Sequence, residues 1–189
     1  IMRRRQRQMC IRDSYHIVGK DILRFHAIYW PALLMAANLP LPNQIIAHGW
    51  WTVEKEKMSK SMGNVIDPNE MISKYGLDQF RFFLLREVPF GNDGDFSISS
   101  LVSRVNSDLA NSFGNLVNRV FSMTNKNLDG LIPDAEITDK EKILIETCDE
   151  KISDYMVFFK NVEISKALES VSDIISSTNK YIDDMKPVS

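Results

Sequence analysis

The chain carries 189 residues, 44% hydrophobic and 25% charged, with a formal net charge of −2; this suits a soluble globular protein of one domain or two small ones. No apolar run approaches the ~18 residues of a membrane span, and the start lacks the apolar core of a secretory signal. Five of the 23 Lys and Arg fall within residues 1–14, so the remainder is mildly acidic and any RNA contact must use a local basic patch.

After that Arg- and Gln-rich start, His16-Ile17-Val18 is a short β-like run closed by Gly19. Residues 21–38 predict a helix that is apolar almost all round, hence buried, and Pro40 and Pro42 end it. Residues 44–51, QIIAHGWW, predict a buried strand. Trp51-Thr52-Val53 and the lysine-rich segment behind it predict an edge hairpin. Asp67-Pro68 is a helix start, with Asp as cap and Pro at the first helical position. That helix stops near Gly76, and another covers residues 78–87. Residues 89–95, PFGNDGD, are turn chemistry.

The second half reads as helix throughout. Val102, Val105, Leu109, Phe113, Leu116, Val120 and Met123 step by three and four, the stripe of one long amphipathic helix. Residues 127–133 form a loop. Thr138 and Glu141 predict a capping box for a helix that turns Ile143, Leu144, Cys148, Ile152, Tyr155, Met156 and Phe159 inward. A last helix, residues 162–185, turns Leu168, Val171, Ile175, Thr178 and Ile182 inward. Three long antiparallel helices with short loops predict a bundle, with the domain boundary near residues 96–100. Cys10 and Cys148 stand far apart with no Cys-x-x-Cys, which argues against a zinc site or a disulfide framework and fits a reducing compartment.

Three groups of residues carry chemistry. The first is Lys57-Met58-Ser59-Lys60-Ser61, followed by Gly63 and Asn64. Lysine is a mobile point charge, and phosphoryl chemistry is mostly positioning and charge stabilisation, so the segment suits a polyphosphate; a solvated lysine loop is the plain alternative. The second is Gly19 and Asp21 at a strand-to-helix turn, with Ile22, His26 and Trp30 behind them. Gly19 allows close backbone approach, and Asp21 can cap the helix or hold a ligand hydroxyl or amine. Ile22, His26 and Trp30 are spaced by four and share a face that suits a flexible apolar ligand, with favourable sulfur–aromatic contact. On spacing alone a packed apolar helix is the better reading. Pro31 marks a special helix shape, because a proline inside a helix removes a bond and kinks the axis. His48 and Gly49, at a strand end, could meet a nucleotide or merely turn the chain. The third group is Asn115 and Arg119, four apart on one helix face. An amide and a guanidinium can read base edges, although a solvated face is the plain reading.

Residues 57–61 spell the KMSKS signature of class I aminoacyl-tRNA synthetases, and their surroundings resemble the methionyl-tRNA synthetase family. The resemblance rests on His16-Ile17-Val18-Gly19-Lys20-Asp21-Ile22, Phe25-His26, Tyr29-Trp30-Pro31-Ala32, Ala47-His48-Gly49-Trp50 and Gly63-Asn64-Val65-Ile66-Asp67-Pro68. It continues through Tyr75-Gly76-Leu77-Asp78, Leu85-Arg86-Glu87-Val88-Pro89-Phe90-Gly91 and Asp93-Gly94-Asp95-Phe96-Ser97, and spans residues 15–187. It implies an α/β Rossmann-type catalytic half over residues 15–98 and an all-α helical-bundle anticodon-binding domain over residues 99–189. It also implies activation of methionine by ATP with Mg²⁺ and transfer to methionine tRNA, with no zinc site here and no membrane. Ile22, His26 and Trp30 would line the methionine pocket. Gly19 and Asp21 would contact the adenylate, and His48 and Gly49 the adenine. Lys57, Met58, Ser59, Lys60 and Ser61 would hold ATP, Lys60 stabilising the transition state and Lys57 positioning the nucleotide. Asn115 and Arg119 would read the CAU anticodon.

The family's HIGH motif has no counterpart in this sequence, so the chain reads as the later part of a catalytic domain with most of an anticodon domain, expected to be inactive alone. Residues 1–14 do not match and read as a foreign leader, or else as an RNA-binding arm. After Pro187 the family has a tryptophan where this chain has Val188. The expected compartment is a bacterial-type cytoplasm or a mitochondrial matrix. A class I synthetase for another large apolar amino acid, or a non-catalytic tRNA-binding module, are the competing readings.

Overall fold

The computed structural model describes residues 15–132 and 134–185; the leader, Cys10, Pro133, Pro187 and Val188 lie outside the described residues. Strand β1 (Tyr15–Gly19) pairs in parallel with β2 (Gln44–His48), register Tyr15 to Gln44 through Gly19 to His48. A parallel pair needs a crossover, and residues 20–36 supply it. They form a 3₁₀ turn (Lys20–Ile22), a π-helical stretch (Phe25–Tyr29) and helix α1 (Trp30–Ala36). The π stretch ends just before Pro31, where the Trp30 N–H bonds the Phe25 carbonyl. Widening the turn accommodates a proline that cannot donate and would crowd the preceding turn.

The helix is present where the sequence predicts it, but the expectation that it is buried is wrong among the described residues. Only Leu34 of that helix is buried, while Phe25, Ile28, Leu33 and Met35 are each about 60–70% exposed. The predicted buried strand over residues 44–51 also changes: β2 ends at His48, and only Ile46 and Gly49 of those residues are buried. A parallel pair is buried only where both faces are covered, and Tyr15 and Ile17 on β1 stay more than half exposed.

Trp51 opens β3 (Trp51–Val53), which forms a hairpin with β4 (Glu56–Lys57). Glu54 and Lys55 both have positive φ, 51° and 68°, the geometry that matches strand twist in a two-residue hairpin. Asp95 holds that turn, accepting from the Lys55 N–H at 2.7 Å and the Thr52 hydroxyl at 2.5 Å. Strand β5 (Gly94–Phe96) lies on the other side of β3, giving the order β4-β3-β5. The expected edge hairpin is thus formed, but β3 is its sheet's middle strand, and the predicted turn over residues 89–95 becomes strand at Gly94.

Packing divides the chain into two compact units. One holds the residues through Asn64 with Phe90–Asp95, the other Val65–Pro89 with Phe96 onward. A cut at 98/99 differs from this division. Helices α2 (Pro68–Tyr75) and α3 (Leu77–Arg86) group with the helical part. Asp67 caps α2 through the Asn69 N–H at 2.8 Å, and Gly76, at φ 93°, ends it. Phe80 and Phe83 meet Phe96 edge-on, and Phe83 and Leu101 are the fully buried anchors of this unit.

Ser97 caps α4 (Ile98–Arg104), which continues through a π-helical stretch (Val105–Gly114) into α5 (Asn115–Leu128). Helices α6 (Asp139–Lys160) and α7 (Ile164–Met185) follow. The pairs of Lys151 with Asp173 and Glu141 with Tyr181 set α6 antiparallel to α7. The pairs of Asn179 with Ser112 and Arg119 with Asp183 set α7 parallel to the long helix. Small residues Ser165, Ala167 and Ser170 let neighbours approach α7 closely, and with Ile182 they are buried.

The inward stripes are only partly as predicted. Leu144, Cys148 and Tyr155 are half-buried on α6, but Ile143, Ile152, Met156 and Phe159 are exposed, and Phe158 turns inward instead. Helix α6 packs chiefly on α7, so a narrow seam is covered. On the long helix Val102, Phe113 and Val120 are exposed; ten residues of wider π bonding displace a stripe laid out on the 3.6-residue period. On α7 Val171 is exposed, whereas Leu168, Ile175 and Thr178 are half-buried.

Glu141 closes the predicted capping box at Thr138 and also accepts the Tyr181 hydroxyl. Hydrogen bonds first from the Thr138 side chain and then from Tyr181 hold its carboxyl down at about 2, from an ordinary 4.5. A carboxyl lowered on folding adds stability above its unfolded value and loses it as pH falls toward its folded value. The helical unit is therefore expected to weaken in urea melts between pH 4.5 and pH 2, and Glu141→Gln to flatten that dependence. A slope unchanged by the substitution would contradict the assignment.

Candidate functional site

Two parallel strands end side by side, and their carboxyl ends are where ligands meet open α/β sheets. The register puts Gly19 beside His48. Gly19 has an ordinary φ of −67°, so its lack of a side chain serves space and not conformation. A Cβ there would stand 2.5 Å from the Asp21 carboxylate, with His48 next at 3.9 Å. Gly19, Asp21 and His48 are thereby brought together. Asp21 does not cap the following turn and stays exposed. His48 Nδ1 lies 2.8 Å from the Gly49 carbonyl. A carbonyl only accepts, so Nδ1 carries the hydrogen and leaves Nε2 of the neutral ring as an acceptor. Gly49 is buried under the next turn, where a Cβ would stand 2.0 Å from the Asn92 carbonyl oxygen.

His26 and Trp30 line one open cavity of about 410 Å³ with His16, Phe25, Tyr29 and Leu33. Ile22, the third predicted member, is not among the lining residues and is 40% exposed. His26 donates from Nδ1 to the Ile22 carbonyl at 3.1 Å, so its own helix fixes the ring. His16 meets Trp30 edge-on at 4.8 Å, and His26 does so at 6.2 Å. The sequence reading took Phe25 and Tyr29 only as part of the family resemblance and not as cavity residues, although their spacing of four, one residue before His26 and Trp30, marks the neighbouring ridge of that helix.

The Lys57-to-Ser61 loop is held by its own polar atoms. Ser59 caps a 3₁₀ turn (Lys60–Met62), its hydroxyl accepting from the Met62 N–H at 3.2 Å. Gly63 ends the turn at φ 69°, a left-handed backbone with open space around it, where glycine is favoured by conformation. Asn64 staples the loop: its Oδ1 accepts from the Ser59 N–H at 2.8 Å and its Nδ2 donates to the Lys57 carbonyl at 3.1 Å. Ser61 reaches Ser59 at 3.0 Å, and Met58 is half-buried. Lys57 and Lys60 are exposed, and among the described residues neither ammonium meets a carboxylate. A backbone held in place with its cations unpaired is suited to an anionic ligand.

Asn115 begins α5 and is exposed. Arg119, one turn later, is half-buried and bonds Asp183 at 2.6 Å. The two share a face as predicted, but the guanidinium already has an anionic partner. Among the described residues no three His, Cys, Asp or Glu gather as a metal site would, and no helix is long and apolar enough to cross a membrane.

A family model described as tRNA synthetases class I (M) matches residues 8–121, and the chain belongs to that family. The match begins inside the 1–14 leader. The relatives the chain resembles are named methionine–tRNA ligases. Methionine–tRNA ligase of Bacillus subtilis is 50% identical over 91% of this chain, and that of Rickettsia felis 49% over 91%. A crystal structure of Mycobacterium tuberculosis methionyl-tRNA synthetase bound by methionyl-adenylate superposes with a TM-score of 0.86, at 44% identity over 92% of the chain. The chain spans 26% and 34% of the length of those two ligases and 34% of the crystallised chain.

If Asn64 staples the lysine loop, Asn64→Ala should speed hydrogen exchange of the Ser59 amide by roughly tenfold. An unchanged rate at Ser59 would contradict the staple.

Proposed function

We propose that this chain supplies part of a methionine–tRNA ligase, in which ATP activates methionine and methionine tRNA receives it. The observation that carries the reading is the pair of unpaired lysines on a stapled loop, in a chain half identical to methionine–tRNA ligases. The methionine carboxylate attacks the α-phosphorus of ATP; methionyl-adenylate forms and pyrophosphate leaves. A tRNA hydroxyl then attacks the acyl carbon, and AMP leaves. Lys60 offsets charge on the phosphate oxygens as pyrophosphate departs, and Lys57 positions the nucleotide, with Ser59, Ser61 and the Met58 backbone shaping the loop. Mg²⁺ accompanies ATP and supplies further charge neutralisation.

At the strand ends, Gly19 leaves room for the adenylate and Asp21 offers a free carboxylate to its ribose hydroxyls. His48 Nε2 accepts from the adenine, and the Gly49 backbone lies against it. His26 and Trp30 hold the methionine side chain, with Phe25, Tyr29 and Leu33 beside them and Ile22 at the margin. Thioether contact with such rings is favourable by ~0.3–1.5 kcal/mol. Asn115 and Arg119 read anticodon bases, Arg119 exchanging its bond to Asp183 for a base edge. On this reading residues 15–98 belong to a Rossmann-type catalytic domain and residues 99–189 to a helical anticodon-binding domain, working in cytoplasm or mitochondrial matrix.

The test places the chain in the frame of the Bacillus subtilis ligase, replacing the matching stretch. Methionine-dependent ATP–pyrophosphate exchange is expected, and Lys60→Ala should lower kcat by ~10²-fold or more, as for one charge contact made in the transition state. Exchange that follows leucine or isoleucine instead of methionine, or turnover unchanged by Lys60→Ala, would overturn the reading.

A further inference from the structure

The strongest cluster outside the residues already assigned centres on Asp93. Its carboxylate takes both oxygens to the Lys20 ammonium, at 2.5 and 2.6 Å, and one of them accepts the Trp50 N–H at 2.8 Å. The Lys20 ammonium also sits 4.3 Å over the Trp50 ring, a favourable placement for a cation. Lys20 follows Gly19 and precedes Asp21, at the end of β1. Trp50 follows His48 and Gly49, at the end of β2. One carboxylate from the turn between Phe90 and β5 therefore ties together the two strand ends that carry the proposed nucleotide contacts.

Two more contacts make this a brace and not an isolated surface pair. The Gly94 N–H bonds the Trp50 carbonyl at 2.8 Å, so the same turn grips Trp50 from both sides. Gly49 is buried against the Asn92 and Asp93 backbone with no room for a Cβ. The hydrogen bond from Lys20, and then that from the Trp50 amide, hold the Asp93 carboxyl below its usual range, so it is ionised at neutral pH.

We infer that Asp93 is a positioning residue for the nucleotide end of the site, fixing Asp21 and His48 relative to each other by clamping Lys20 and the Trp50 amide. The inference rests on the reading of these strand ends as the adenylate site. It assigns Lys20 a role that needs no contact with substrate: its charge is spent on Asp93 and Trp50, in contrast to Lys57 and Lys60. The methionine cavity, on the helix behind, is built from residues that Asp93 does not touch. Loss of the clamp should therefore weaken ATP and spare methionine.

The experiment uses the same full-length frame carrying this chain. Asp93→Asn keeps the shape and the acceptor for the Trp50 amide but loses the charge that holds Lys20. It is expected to raise KM for ATP by roughly tenfold in pyrophosphate exchange and to leave KM for methionine within about twofold. Lys20→Met should do the same. The double variant should be no worse than either single, because both remove one interaction. Unchanged KM for ATP, equal rises for both substrates, or additive effects would overturn the role of Asp93 while leaving the site itself standing. Absence of methionine-dependent exchange in the unsubstituted frame would instead overturn the reading of the site, and the inference with it.

Discussion

The parallel pairing of β1 with β2 is the constraint on which the first unit depends. Its register sets Gly19 against His48 and so decides which side chains stand at the carboxyl end of the sheet. A slip of one residue would send every side chain of the strand to the other face and part Asp21 from His48. The crossover needed to keep the strands parallel also carries His26 on its wide turn and Trp30 at the start of α1, ahead of Pro31. One topological requirement thus delivers both the proposed nucleotide end and a side-chain cavity. Two glycines follow from it: Gly19 gives space to the Asp21 carboxylate and Gly49 to the next turn, whereas Gly63 answers a left-handed backbone.

The charges divide into two kinds of work. Asp93, Asp95 and Glu141 are spent on the frame, each accepting from a backbone N–H and a neighbouring side chain. Lys57 and Lys60 are left without carboxylate partners among the described residues, on a loop whose backbone Asn64 holds. Exposed ion pairs add little stability on their own, so the frame's pairs matter for what they align. Arg119 stands between the two kinds: it is proposed to read a base, and in the structure Asp183 occupies its guanidinium. The proposed RNA contact would exchange one charged hydrogen bond for another, which favours selectivity over raw affinity.

Local rules carried far into the sequence where the signal was local. Asp67-Pro68, Gly76 and the Thr138 and Glu141 box are end signals, and each helix end is where they put it. The lysine loop and the pairing of Gly19 with Asp21 were legible because glycine and motif chemistry act over a few residues. Burial was not legible. Ile17, Phe25, Leu33 and Met35 have core composition, yet a residue's exposure depends on what covers it, and pattern alone does not reveal the cover. The stripe from Val102 to Met123 assumed a period that ten π-helical residues alter. Asp93 was hidden in PFGNDGD, a string that reads as turn chemistry, because its partners Lys20 and Trp50 lie 73 and 43 residues away.

The central claim is that one ligand lies across the ends of β1 and β2 and into the cavity beside Trp30. The most direct measurement is a crystal structure of the full-length frame carrying this chain with a non-hydrolysable methionyl-adenylate analogue. The account predicts adenosine against Gly19, His48 and Gly49, its ribose by Asp21, and the thioether between His26 and Trp30. An analogue bound away from these strand ends, or reversed so that the thioether lies by His48, would contradict it.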